Sequence, residues 1–128
     1  MISPYVLDAS ALLCLIRDEP GAQAVGDLLP NSAISAVNLS EAVAKLSDVG
    51  MDEPTIGAVL APLQLRIVAF DETAALSAGL LRSRTKVLGL SFGDRACLAL
   101  ATQLGAEAVT TDRAWSRLDI GLSIKSVR

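Results

Sequence analysis

The sequence contains no histidine and only two cysteines, and these shortages narrow the chemistry open to it. Without histidine, zinc sites of the Cys/His kind and every histidine-dependent catalytic triad are excluded. Cys14 and Cys97 lie in apolar stretches without CxxC spacing, so we interpret both as small core residues rather than as a disulfide or a thiol nucleophile. Any metal ion would therefore be held by oxygen atoms, which favours Mg²⁺ or Mn²⁺.

Long apolar runs are also missing. No uncharged stretch approaches the roughly 18 to 20 apolar residues that a membrane helix needs, and the N-terminus lacks the basic stretch of a signal peptide. We therefore expect a cytoplasmic protein that is not bound to a membrane. The length of 128 residues and the hydrophobic content of 52% predict a single domain, 1–128, with a substantial core.

Short apolar runs alternate with helical patterns along the whole chain. The predicted strands cover 5–8, 33–37, 65–70, 108–111 and 122–127. The predicted helices cover 11–17, 22–29, 38–47, 51–63, 73–84 and 91–104. Asn38, followed three residues later by Glu41, is typical of a capping box at a helix start, and Gly105 is typical of a helix end. The alternation predicts an α/β fold with a mostly parallel sheet covered on both faces.

Four acids stand where these apolar runs give way to a loop or a helix start: Asp8, Glu41, Asp94 and Asp112. Binding sites in parallel sheets form outside the carboxyl ends of the strands, so we expect the four to converge there. Taken singly, each acid has an alternative role as a helix cap. Taken together, they favour a divalent-cation site, because like charges packed together are unfavourable unless a cation lies among them.

The acids belong to four short blocks that together resemble the PIN-domain family, and within it the VapC-type ribonuclease toxins of bacterial toxin–antitoxin pairs. The blocks are Val6–Leu12, Asn38–Ala42, Leu90–Ala101 and Val109–Trp115. The resemblance implies a three-layer α/β/α sandwich with a five-stranded sheet. It also implies Mg²⁺- or Mn²⁺-dependent cleavage of RNA phosphodiester bonds, inhibition by a cognate antitoxin protein, and a homodimer.

The same resemblance assigns roles to residues of the site. It makes the four acids metal ligands and catalytic residues, and it places Ser10 and Thr111 at supporting hydroxyl positions beside them. Thr110 is the alternative to Thr111. Asp119 lies close enough to Asp112 in the sequence to be a fifth acid, with a surface role as the alternative.

The sequence gives weaker signals for a surface that binds nucleic acid. The net charge of −3 argues against nucleic acid, but without the four acids the chain has ten acids against eleven bases. Basic residues that flank the last two acids are candidates for the RNA backbone: Arg82, Arg84, Lys86, Arg95, Arg113 and Arg117. Aromatic residues are only 3% of the chain, and we interpret Trp115 as packing on the last strand rather than stacking on bases.

Apolar stripes at 12–16, 25–29 and 43–46 fit either the core or a contact with an antitoxin helix or a second copy. Two other functions stay open. A phosphotransfer protein would also place an acid after an early strand, although an aspartyl-phosphate phosphatase would have a second Asp where this chain has Ser10. A PIN-like module without catalysis would act only by binding a protein partner.

Overall fold

A computed structural model describes residues 3–128. Within this range five strands form one sheet, in which every pairing is parallel and the order is β3-β2-β1-β4-β5. The strands are β1 (Tyr5–Leu7), β2 (Ser32–Ser35), β3 (Arg66–Val68), β4 (Glu107–Thr110) and β5 (Ile124–Ser126). Leu7 pairs with both Ile34 and Val109, so the carboxyl ends of the three central strands lie level.

Seven α-helices connect the strands in the described part of the chain. They are α1 (Ala9–Ile16), α2 (Ala22–Leu28), α3 (Ala36–Asp48), α4 (Glu53–Leu60), α5 (Glu72–Leu80), α6 (Arg82–Thr85) and α7 (Phe92–Leu104). Helix α7 ends as expected at Gly105, whose φ of 62° lies in the left-handed region that favours glycine. Short 3₁₀ turns follow α2, α4 and α6, and a longer one covers Arg113–Arg117.

Consecutive residues of β1 point to opposite faces of the sheet, and each face has its own core. Val6 packs in the cluster that contains Ala78 of α5 and Leu98 of α7. Leu7 packs in the cluster that contains Ala11 of α1 and Val25 of α2. The α/β/α sandwich with a five-stranded parallel sheet is therefore confirmed.

The predicted core residues are largely where the sequence placed them. Both cysteines are buried and free. Trp115 is fully buried in the cluster that also contains Ile124 of β5, which confirms its packing on the last strand. One end residue of each apolar stripe, Leu12, Val25 or Leu46, is buried, so every stripe contributes to the core. In residues 3–128, no helix is long and apolar enough to cross a bilayer.

The main error concerns the start of α3. The helix begins at Ala36 and not at Asn38, because the hydroxyl of Ser35 accepts a hydrogen bond from the backbone N–H of Val37 and caps it. Strand β2 accordingly ends at Ser35, two residues earlier than predicted. The predicted helices 51–63 and 73–84 each break near their ends, where α4 passes into a 3₁₀ turn and α5 gives way to α6.

Candidate active site

Asp8 directly follows β1 and caps α1, and it is only 4% exposed. Its Oδ1 accepts hydrogen bonds from the Ser10 hydroxyl at 2.6 Å and from the Ala11 backbone N–H at 2.8 Å. Its Oδ2 accepts one from the Thr110 hydroxyl at 2.6 Å. Both carboxylate oxygens are thus held in place by residues of α1 and β4.

Burial raises the pKa of Asp8 to about 6, from an ordinary value of 3.8. The three hydrogen bonds act in the opposite direction, and the nearby charge of Asp94 adds a further increase. The carboxylate therefore has an unfavourable charge at neutral pH, which a nearby cation would offset.

Glu41 lies on α3, with its carboxylate packed against the backbone of Gly93 at the start of α7. The side-chain amide of Asn38 donates to Glu41 Oε1 at 3.0 Å and to the carbonyl oxygen of Gly93 at 2.9 Å. Asn38 is therefore not a helix cap but a buried bridge between α3 and α7. Its own Oδ1 is buried and has no hydrogen-bond partner among the residues that the structure describes.

Asp94 sits in the first turn of α7 and completes a capping box with Ser91. The Ser91 backbone N–H donates to Asp94 Oδ2 at 3.0 Å, and the Asp94 N–H donates to the Ser91 hydroxyl at 3.2 Å. Together with the contacts of Asp8 and Glu41, this brings residues of α1, α3, α7 and β4 together at the carboxyl edge of the sheet.

Cys97, one turn further along α7, shows how close three of the acids are. Burial raises the pKa of its thiol well above the usual value, and the charges of Asp8, Asp94 and Glu41 each raise it further. Since charge effects fade with distance, these three carboxylates share one region at the edge of the sheet.

Asp112 is more loosely attached to this cluster. It lies two residues beyond β4 and caps the following 3₁₀ turn, its Oδ1 accepting from the Ala114 N–H at 2.9 Å. Its backbone N–H donates to the Thr110 hydroxyl at 3.1 Å, so Thr110 connects it to Asp8. Across residues 3–128, no three acidic or cysteine side chains lie close enough together to hold a metal ion.

The supporting hydroxyls differ from the expectation in one respect. Ser10 does contact Asp8, but the threonine hydroxyl that does so belongs to Thr110 and not to Thr111. Thr111 contributes its backbone N–H, which donates to the Ser10 hydroxyl at 3.0 Å. The reason is where β4 ends. Thr110 is its last residue and its side chain is fully buried, whereas Thr111 lies beyond the strand, and successive side chains point in opposite directions.

Some of the arginines predicted to contact the RNA backbone form hydrogen bonds within the protein instead. The Arg95 guanidinium donates to the carbonyl oxygen of Ala78 at 2.9 Å and is partly buried. Arg84 donates to the backbone carbonyl of Asp119, and Arg113 to that of Arg128. Arg82 is exposed. Asp119 is itself exposed, in keeping with the surface role.

The sequence reading overlooked Phe92. This residue precedes Asp94 by two positions, and its side chain is 51% exposed beside Glu41. The available signal was an aromatic residue in the first turn of the helix that carries Asp94.

These features define a parallel α/β domain with an acidic site at the carboxyl edge of its sheet. The chain belongs to the PIN domain family, whose model matches residues 5–121. No curated protein matches the sequence.

Solved structures with the same fold include chains of toxin–antitoxin complexes. The chain is similar to one in the DNA-bound VapBC from Salmonella typhimurium, with a TM-score of 0.77, 19% identity and 100% of each chain covered. It is similar to one in VapBC2 from Rickettsia felis bound to a promoter DNA fragment, with a TM-score of 0.76, 22% identity and 98% of each chain covered. A third is VapBC-1 from nontypeable Haemophilus influenzae, with a TM-score of 0.72, 22% identity, and 99% of this chain and 98% of that one covered. At these identities the likeness establishes the fold.

Proposed function

We propose that this PIN domain is a divalent-metal-dependent endoribonuclease and the toxin of a toxin–antitoxin pair. The observation that carries the proposal is that the Glu41 carboxylate packs against Gly93, the residue before Asp94, at the edge of the sheet where Asp8 follows β1. Membership of the family and the toxin–antitoxin complexes among the structural neighbours support it. The toxin–antitoxin complexes among the neighbours support an antitoxin protein as partner. The proposal adds RNA as substrate, a second copy of the chain as partner and the cytoplasm as the place of action.

The donor set fits Mg²⁺ or Mn²⁺. All four side chains offer oxygen atoms, which these hard cations prefer. Burial destabilises the charged form of Asp8, and a bound cation would stabilise that form. In the proposal the ion is held by Asp8, Glu41, Asp94 and Asp112. This requires the other three side chains to turn towards the fixed Asp8, since the carboxylates do not form a closed set in the described chain. When bound, such a cation neutralises charge on the phosphodiester and favours deprotonation of the attacking water.

The remaining residues position the acids. Ser10 and Thr110 fix both oxygens of Asp8, so its orientation is set before any ligand arrives. Asn38 holds Glu41 against α7. Placement of this kind matters because small displacements of a catalytic group cost large factors in rate. The buried, fully hydrogen-bonded Asp8 is also poorly suited to accept a phosphoryl group, which argues against the phosphotransfer alternative.

The proposal is tested by incubating the purified protein with total RNA and with structured RNA, in Mg²⁺ or Mn²⁺ and in EDTA. We expect cleavage with either metal ion and none in EDTA, because four carboxylates without a cation repel a phosphate. Cleavage that persists in EDTA would contradict the metal requirement. No cleavage under any condition would favour a module that only binds its protein partner.

A second prediction concerns Gly93, where a Cβ atom would overlap the carboxylate of Glu41. The Gly93→Ala variant should fold with nearly unchanged stability, because the gain of up to about 1 kcal/mol from alanine in a helix is offset by loss of the Asn38–Glu41 hydrogen bond. Cleavage should fall about tenfold to 100-fold, since Glu41 must move away. Urea unfolding and RNA cleavage rates are the two measurements. Gly57→Ala is the matched control, because it lies in α4 with nothing within 4 Å of its Cβ position, and it should leave cleavage unchanged.

A further inference from the structure

An apolar groove lies beside the acidic site, between α3 and the start of α7. Its volume is about 540 Å³. The lining residues are Ala36, Val37, Ser40, Glu41, Ala44 and Phe92. Glu41 belongs both to this groove and to the acid cluster, so the two are continuous. A molecule bound at the acids would therefore also contact the groove.

Phe92 forms the aromatic wall of the groove and is held by two neighbours. Its ring meets that of Phe70 edge to face, with 5.4 Å between the centroids and 87° between the planes. The guanidinium carbon of Arg95 lies 6.0 Å from the Phe92 centroid, at the limit of a cation–π contact. The ring is thus oriented by its surroundings while half of its surface stays exposed. A single exposed apolar side chain is ordinary, but this ring forms one wall of an apolar groove next to the acids, and the two together make a binding surface.

We infer that this groove binds a nucleobase of single-stranded RNA, next to the phosphate that is cut, and that Phe92 is the ring on which the base stacks. The inference rests on the proposed ribonuclease function. Three alkyl walls and one aromatic ring suit the flat face of a base, and the Ser40 hydroxyl and the Glu41 carboxylate can meet its polar edge. Stacking of this kind tolerates any base, because every base has a π face. Phe92 would thus supply the stacking surface that the fully buried Trp115 does not.

A fluorescence experiment tests the stacking contact directly. The Phe92→Trp variant places an indole in the groove, while Trp115 is buried and contributes a constant background. The variant is mixed rapidly with twelve-nucleotide oligo(A), oligo(C) or oligo(U) RNA in Mg²⁺, or with an abasic oligomer of equal charge. We expect quenching by the three RNAs and none by the abasic oligomer. Equal quenching by all four, or none by any, would overturn the inference and leave the groove to a side chain of a protein partner.

Steady-state cleavage provides the second test. Phe92→Ala should raise KM for single-stranded RNA about 5- to 150-fold, the range expected for loss of one stacked base, with kcat nearly unchanged. Phe92→Trp should restore KM. The control is Leu80→Ala, which removes another exposed apolar side chain, 77% exposed and outside the groove, and should leave KM unchanged. An unaltered KM in Phe92→Ala would overturn the inference.

The two tests separate this inference from the proposed function. If no variant cuts RNA but quenching depends on the bases, the ribonuclease proposal fails and the base-binding groove stands. If the wild type cuts RNA with metal, and Phe92→Ala cuts it equally well without base-dependent quenching in the Trp variant, the groove assignment fails and the ribonuclease proposal stands.

Discussion

Replacing Asp94 with asparagine is expected to lower RNA cleavage by about 100- to 1,000-fold while leaving the protein folded. The loss follows from removing one negative charge from the proposed cation site, where electrostatic contributions of several kcal/mol are usual. The fold should survive because an asparagine oxygen can accept the Ser91 backbone N–H in place of Asp94 Oδ2. The rate is measured with Mg²⁺ at saturating RNA, and circular dichroism confirms the fold.

Ser91→Ala is the matched control for Asp94→Asn. It removes the other half of the same capping box, the hydrogen bond from the Asp94 N–H to the Ser91 hydroxyl, without altering any charge. A lost cap costs about 1 kcal/mol of stability. If the role of Asp94 were only to start α7, Asp94→Asn, which keeps its half of the capping box, would reduce cleavage no more than Ser91→Ala. If Asp94→Asn retained wild-type cleavage, its assignment as a catalytic residue would be wrong.

The Asp8→Asn variant is expected to be more stable than the wild type at pH 7.5 in EDTA, by up to about 3 kcal/mol. The folded protein holds the Asp8 proton with a pKa of about 6, above the ordinary 3.8, chiefly because the side chain is buried. The folded state therefore binds a proton more readily than the unfolded state between these values. Wild-type stability should rise as the pH falls from 7 through 6 towards 4, and the advantage of the variant should shrink over the same range. Urea unfolding at pH 7.5 and at pH 4.5 gives the two differences.

Asp71→Asn is the control for the pH dependence of Asp8→Asn. Asp71 caps α5 by accepting from the Ala74 N–H at 2.9 Å, as Asp8 caps α1, but it is exposed. Its replacement should change stability little at either pH. A stability difference between wild type and Asp8→Asn that does not vary with pH would contradict the raised pKa. Mg²⁺ at pH 7.5 should stabilise the wild type more than Asp8→Asn, because only the wild type offers it the Asp8 charge.

The sequence predicted the α/β architecture well because local signals and long-range packing agree. Apolar runs of the right length alternate with helical patterns, and the cap residues Asp8 and Gly105 mark helix ends that the structure confirms. Asn38 was misread because a capping pattern is a local signal. The true start of the helix depends on Ser35, which is itself the last residue of a buried strand.

The candidate site was only partly accessible from the sequence. The positions of Asp8, Glu41 and Asp94 follow from topology, since parallel strands end at one edge. Side-chain detail does not follow: whether Thr110 or Thr111 faces Asp8 depends on which residue ends β4. The groove beside Phe92 depends on how α3 and α7 pack together, and the sequence pattern within either helix does not give the distance between the two helices.

The buried amide of Asn38 shows that site geometry and fold stability are in competition at one position. A polar oxygen left without a hydrogen bond in a protein interior costs about 1 to 3 kcal/mol, and in the described chain Asn38 Oδ1 is such an atom. An aliphatic residue at position 38 would avoid that penalty but would release Glu41 from α7. Selection for thermal stability alone would therefore tend to replace Asn38. A stabilised variant that carries a substitution at position 38 should be assayed for RNA cleavage first.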